Sequence, residues 1–116
     1  MTNLRLVSPN AEQLGVEERE ALLRRSDVLL SIATLNSDGS PHVVPMWFYW
    51  RDECFYMTCR REGRVKIKNI ERDGRVFFAV FNTTIPYVAI CGPGVAYVTS
   101  QDYVEISTQI RRKYSR

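Results

Sequence analysis

The chain has a single histidine, His42, and only three cysteines, Cys54, Cys59 and Cys91, among 116 residues. One histidine cannot complete a metal site with these cysteines. Their Cys-x4-Cys spacing and distant third member suit neither a zinc site nor a disulfide framework. No metal is therefore expected, and the thiols are expected to be reduced, in the cytoplasm. Long hydrophobic runs are missing: nothing approaches the roughly 18 consecutive apolar residues of a membrane-spanning helix. The first ten residues also lack the apolar stretch of a signal peptide. Charge of one sign is scarce, at +3 overall, while hydrophobic residues make up 45% and charged residues 25%. That balance describes an ordinary folded chain rather than a disordered one. The length fits one domain over residues 1–116, with residues 1–26 as a lead-in and helix.

The positive charge is local. Residues 60–75 hold seven cations (Arg60, Arg61, Arg64, Lys66, Lys68, Arg72 and Arg75) and three anions, so this stretch carries +4 and the rest of the chain −1. A cluster this confined suits a small anionic ligand at least as well as a polyanion. A nucleic-acid-binding barrel, with strand aromatics for stacking, fits the aromatics but not this confinement. Neither nucleic acid nor membrane is expected as a partner.

Ser8-Pro9 offers an N-cap and a first-turn proline. Residues 17–25 carry acids early and arginines late, as a helix dipole favours, with Leu14, Leu22 and Leu23 as a buried stripe. Residues 28–35 (VLLSIATL), 42–50 (HVVPMWFYW) and 54–59 (CFYMTC) read as three strands of an antiparallel meander. Their connections, Asn36-Ser37-Asp38-Gly39 and Asp52-Glu53, are turn-like and too short for crossovers. Pro45 cannot donate to a ladder, so its strand is broken, bulged or at an edge there. Alternate members of Trp47, Phe48, Tyr49 and Trp50 face opposite sides, so half are core and half are free for a site or an interface.

The pattern predicts a helix over residues 63–73, ended by Gly74 in the C′ position. Residues 75–82 (RVFFAVFN) form a fourth strand. Residues 87–98 form a fifth, interrupted at Gly92-Pro93-Gly94 by a bulge, bend or hairpin turn. Asp102 and Glu105 are spaced as a capping box, and the helix that follows puts Tyr103, Ile106, Ile110 and Tyr114 near one face. The order β-β-β-α-β-β-α after a leading helix predicts a mainly β fold with flanking helices, a small antiparallel barrel.

On a helical wheel Arg64, Lys68 and Arg72 form one ridge, a pattern that also describes a plain solvated surface. Ile67 and Ile70 lie opposite and face the barrel. Lys66 sits beside Ile70, within the first turn, so it either snorkels to solvent or neutralises an anion. The first turn also offers unpaired N–H groups and the positive end of the dipole. Helix start, Lys66, Arg64 and Arg60 or Arg61 together make a phosphate site, to which Thr58 can add a hydroxyl.

The segments ATLNSDGSPHVVPMWF (33–48), FYMTC (55–59), RVKIKNIERDGRV (64–76) and PYVAICGPGVAYV (86–98) resemble, in that order, the pyridoxamine 5′-phosphate oxidase-like split-barrel superfamily. The resemblance spans about residues 27–114. It implies a homodimer with two cofactor sites at the subunit interface, binding FMN or, alternatively, the deazaflavin F420. By position it implies that Lys66 and Arg64 hold the cofactor phosphate, with Arg60 beside them. Thr58 and Cys59 flank that phosphate. Val43, Val44, Pro45 and Met46 lie along the ring, and Trp47 stacks on it or walls it off. Pyridoxamine phosphate oxidases themselves carry basic residues where this chain has His42 and Trp47, so the resemblance implies a different acceptor.

The function implied is an FMN- or F420-dependent oxidoreductase passing hydride or electrons to a small conjugated acceptor. The alternative is a non-catalytic flavin or haem carrier, or a redox sensor. No acid–base pair stands out, and no catalytic residue is assigned. His42 reads as a surface or rim residue after a turn. Cys59 reads as a small packing residue, or as a thiol activated by Arg60 and Arg61.

Overall fold

In a computed structural model, residues 5–6, 15–59, 64–85 and 87–115 are described. Ser8, Pro9, Leu14, Arg60 and Arg61 lie outside them. The elements are β1 (Arg5–Leu6), α1 (Val16–Arg24), β2 (Leu30–Leu35), β3 (Pro41–Met46), β4 (Tyr49–Arg51), β5 (Cys54–Tyr56), α2 (Val65–Arg72), β6 (Arg75–Phe81), β7 (Ala89–Val95) and α3 (Tyr103–Tyr114). Five strands form one sheet in the order β1-β7-β6-β2-β3, and β4 pairs with β5 in a second sheet. All pairings are antiparallel. The fold is mainly antiparallel β with flanking helices, as the patterning predicts.

β2 carries the alternation that assigns its faces. Leu30, Ile32 and Thr34 are buried, and the residues between them are half-buried. Their partners Phe78 and Val80 share the inner face. Onto that face pack Leu22 and Leu23 of α1, together with Phe48 and Trp50. Phe55 bridges the two sheets, with ring centroids 5.5 Å from Phe48, 4.7 Å from Trp50 and 4.8 Å from Phe78. Phe48 and Trp50 are thus the buried half of the aromatic run, while Trp47 is 51% exposed.

The predicted three-strand meander is split. After Met46 the chain leaves the large sheet, and Tyr49 begins the small one. At the crossover Phe48 has no strand partner, and the last turn of α3 supplies what a ladder would have. The Tyr114 hydroxyl accepts from Phe48 N–H at 3.3 Å and donates to the Val28 carbonyl at 2.9 Å. Lys113 Nζ donates to the carbonyls of Phe48 at 3.2 Å and Leu23 at 2.9 Å, and lies 3.4 Å from the centre of the Phe48 ring.

Burial pulls the Lys113 ammonium down from 10.5 to about 8. Between about 8 and 10.5 the unfolded chain therefore binds more protons at this group than the folded one, and its contribution to stability rises with pH across that window. Urea unfolding at pH 7, 8.5 and 9.5 checks this against Lys113→Met. The stability of the parent relative to the variant should increase with pH; a flat or falling difference contradicts the burial.

Of the three expectations for Pro45, the edge position holds: it neither breaks nor bulges β3, an edge strand whose register runs from Leu30↔Met46 to Leu35↔Pro41. Departures elsewhere have local causes. Gly92-Pro93-Gly94 does not interrupt its strand: the three residues pair with Phe78, Phe77 and Val76 in regular register. β1 covers only Ile90 and Cys91, so Pro93 lies on an open stretch where a missing N–H is tolerated. Gly74 is not a left-handed helix stop, since among the described glycines only Gly39 has positive φ. Its role is close approach: a Cβ there would lie 2.6 Å from the Ala96 carbonyl oxygen. The Asp102–Glu105 box does not form. Asp102 makes no capping bond, and both carboxylates instead meet Arg51, at 3.4 and 3.2 Å. Ile106 and Ile110 are buried as expected, but Tyr103 is exposed.

Candidate functional site at the start of helix α2

α2 is unusual in how it is held. No apolar residue of it is fully buried, and its one buried side chain is Asn69. Ile67 and Ile70 are only half-buried. Asn69 Nδ2 donates to Thr34 Oγ1 and to Asn36 Oδ1, both at 3.0 Å. Arg72 donates to Asn69 Oδ1 at 2.8 Å and to the Leu35 carbonyl. A polar network therefore fixes the second half of α2 to the end of β2. Sequence reading missed Asn69; the signal was an asparagine, a poor helix former, between two inward isoleucines. Arg72, assigned to a basic ridge, is engaged in this network.

The first turn is left open. Arg64 occupies the N-cap with extended backbone and makes no side-chain cap, and the turn contains no acid. The first intrahelical bond runs from Lys68 N–H to the Arg64 carbonyl, so the N–H groups of Val65, Lys66 and Ile67 have no helical acceptor. Arg64 and Lys68 are exposed and Lys66 is half-buried. The side chain of none of the three makes a hydrogen bond or ion pair among the described residues. By contrast, Arg19, Arg24, Arg25, Arg51 and Arg75 each reach a carboxylate. The opening of α2 thus gathers cations that no described residue neutralises, where a helix favours anions.

Thr58 is half-buried and Cys59 exposed, in the segment leaving β5. The exposure of Cys59 corrects its reading as a packing residue. On β3, Val43 and Pro45 point to the outer, exposed face and Val44 and Met46 to the half-buried inner face. As an edge strand, β3 leaves alternate backbone N–H and C=O groups without strand partners. His42, expected at the surface or rim, is half-buried, opposite Thr34, with Nδ1 buried and without a hydrogen bond. Trp47 follows β3 and stacks on Tyr114, centroids 4.9 Å apart and planes within 5°. An open cleft of about 400 Å³, lined by Asn36, Asp38, Val65, Lys68, Asn69 and Arg72, runs beside α2. A second cleft, of about 230 Å³, lies between α1 and the β4–β5 turn and shares no lining residue with it. Among the described residues no group of side chains could hold a metal ion, and no helix is long and apolar enough to cross a membrane.

The sequence model described as pyridoxamine 5′-phosphate oxidase matches residues 16–116. A conserved hypothetical protein from Mycobacterium tuberculosis superposes with TM-score 0.76 at 22% identity, over 88% of this chain and 65% of its own. The chain therefore spans about two thirds of that protein's length. An F420 reductase superposes with TM-score 0.68 at 26% identity, over 82% of this chain and 75% of its own. HutZ, the heme storage protein from Vibrio cholerae, superposes with TM-score 0.66 at 15% identity, over 85% of this chain and 75% of its own. No curated protein sequence matches the chain.

Proposed function

This chain belongs to the pyridoxamine 5′-phosphate oxidase family, and from that premise we propose that it is a cytoplasmic oxidoreductase using a flavin-type cofactor, FMN or the deazaflavin F420. The observation that carries the reading is the opening of α2. A helix start without a side-chain cap or acids, flanked by Arg64, Lys66 and Lys68, whose side chains pair with no described residue, has the donor chemistry that a phosphate monoester or diester requires. The residues present therefore fit the group. When bound, such a cofactor supplies the hydride or electron transfer to a small conjugated acceptor.

The chain's own residues bind and orient. Lys66 and Arg64, with the free N–H groups of the first turn, hold the phosphate, and Arg60, Thr58 and Cys59 flank it. Val43, Val44, Pro45 and Met46 lie along the ring, whose edge meets the alternate backbone groups that this edge strand leaves unpaired, and Trp47 bounds the site. Asn69 and Arg72 keep the helix start aimed by anchoring its other end. Lys68 continues the cations along the cleft beside α2. Together with the 26% identity to an F420 reductase, this favours a cofactor whose anionic tail extends past one phosphate.

A homodimer belongs to the same proposal. The outer face of the large sheet carries a row Val43–Ala33–Phe77–Pro93, with Val95 and Phe81 on the same face. Val43, Phe77, Phe81 and Val95 are 43–69% exposed. A contiguous apolar sheet face of this kind calls for a covering partner.

Native mass spectrometry of the purified protein tests both parts. The expected spectrum is a dimer retaining two cofactors, or taking up two on addition of FMN or F420. A monomer that takes up neither refutes the proposal. A dimer that binds cofactor but reduces no acceptor in steady-state assay leaves the carrier or sensor reading in its place.

A further inference from the structure

Trp47 lies at the end of an edge strand and is half exposed, yet its indole is not free to turn. One face rests on the Tyr114 ring, nearly parallel at 4.9 Å. That ring is itself held at its hydroxyl by the Val28 carbonyl and the Phe48 N–H. One anchor leads into β2, and the other, the residue next to Trp47, is where the chain changes sheets. We propose that Tyr114 is a positioning residue, holding the indole of Trp47 as a fixed aromatic wall at the end of β3, so that a flat ring seated along β3 meets an indole already immobile. The inference rests on the reading of β3 as the strand beside the cofactor ring.

The physical argument is preorganisation. An exposed tryptophan samples several rotamers, and a ligand that stacks on it must select one. A partner ring that has already made the selection removes that cost from binding. A parallel offset stack is one of the favoured aromatic geometries. Lys113, the neighbouring residue, holds the crossover backbone and leaves Tyr114 to hold the side chain.

The test has two arms. In protein free of cofactor, acrylamide quenching of Trp47 is taken as the difference between the parent and Trp47→Phe. The other tryptophan, Trp50, is 7% exposed and serves as the quiet background. Tyr114→Leu should raise the quenching of Trp47, and Tyr114→Phe, which keeps the ring, should restore most of the protection. Unchanged quenching in Tyr114→Leu overturns the proposal.

In the second arm FMN and F420 are titrated into the parent, Tyr114→Leu, Trp47→Leu and the double variant. Tyr114→Leu should weaken binding roughly two- to tenfold, and should change it less than about twofold once Trp47 is gone. The same loss with and without Trp47 would make Tyr114 a prop of the fold and overturn the inference. If the parent binds neither compound, the cofactor reading fails, and the quenching arm alone decides whether Tyr114 immobilises Trp47.

Discussion

Phe48→Ala should cost about 3–5 kcal/mol of folding stability, enough to lower Tm by roughly 10–20 °C in a chain of this size. Phe48 is fully buried and lies where the two sheets meet. Its ring packs edge-on against Phe55, which in turn touches Trp50 and Phe78. Truncation leaves a cavity between sheets that cannot close without moving both. It also removes the ring face under the Lys113 ammonium, leaving that charge half-buried with only its carbonyl partners. Phe48→Leu keeps most of the volume and should cost less than half as much. Urea unfolding followed by circular dichroism reads both variants. A loss below about 1 kcal/mol for the alanine variant would mean that Phe48 is not part of the structural core.

Phe48 also illustrates what the sequence could and could not reveal. Period-two alternation separates Phe48 and Trp50 from Trp47 and Tyr49, and the structure assigns them to opposite sides accordingly. Strand alternation is a local property, so it is legible residue by residue. The change of sheet at the same place is not, because the groups that permit it come from Lys113 and Tyr114 at the far end of the chain. The same reason explains the lost capping box: Asp102 and Glu105 have the right spacing, but Arg51 is the stronger partner, and it is distant in sequence. Gly92-Pro93-Gly94 looked like an interruption on composition alone. Its position opposite β6, on the stretch that β1 does not cover, makes it an ordinary part of the strand.

The site divides in the same way. The helix, its basic first turn and the half-buried flank of Lys66 follow from periodicity and charge. What holds the helix does not. Periodicity assigns that task to Ile67 and Ile70, but Asn69 is the buried residue, and its acceptors are on β2 and the turn after it. A hydrophobic reading could not find a polar anchor. Once that anchor is known, the open first turn makes sense. The helix is secured at its second half, so its start can carry cations that no other part of the fold requires.

Lys66→Glu exploits this separation and should reduce cofactor affinity by roughly a hundredfold or more. The variant removes a charge-assisted bond to phosphate and adds like-charge repulsion, together about 3–5 kcal/mol. The same change should leave the fold intact or slightly more stable. Lys66 is the second residue of α2, where a carboxylate interacts favourably with the helix dipole by about 0.3–1 kcal/mol. A lysine there is a small cost to the helix, and the Lys66 side chain makes no hydrogen bond or ion pair among the described residues that the variant would break. Thermal melts without cofactor, and titrations with FMN and F420, should therefore move in opposite directions: Tm level or up, affinity sharply down. A purely structural, snorkelling lysine would give the reverse pattern, with Tm falling and affinity following only as far as the fold does. Affinity untouched by the reversal would remove the phosphate from the start of α2, and with it the proposed function.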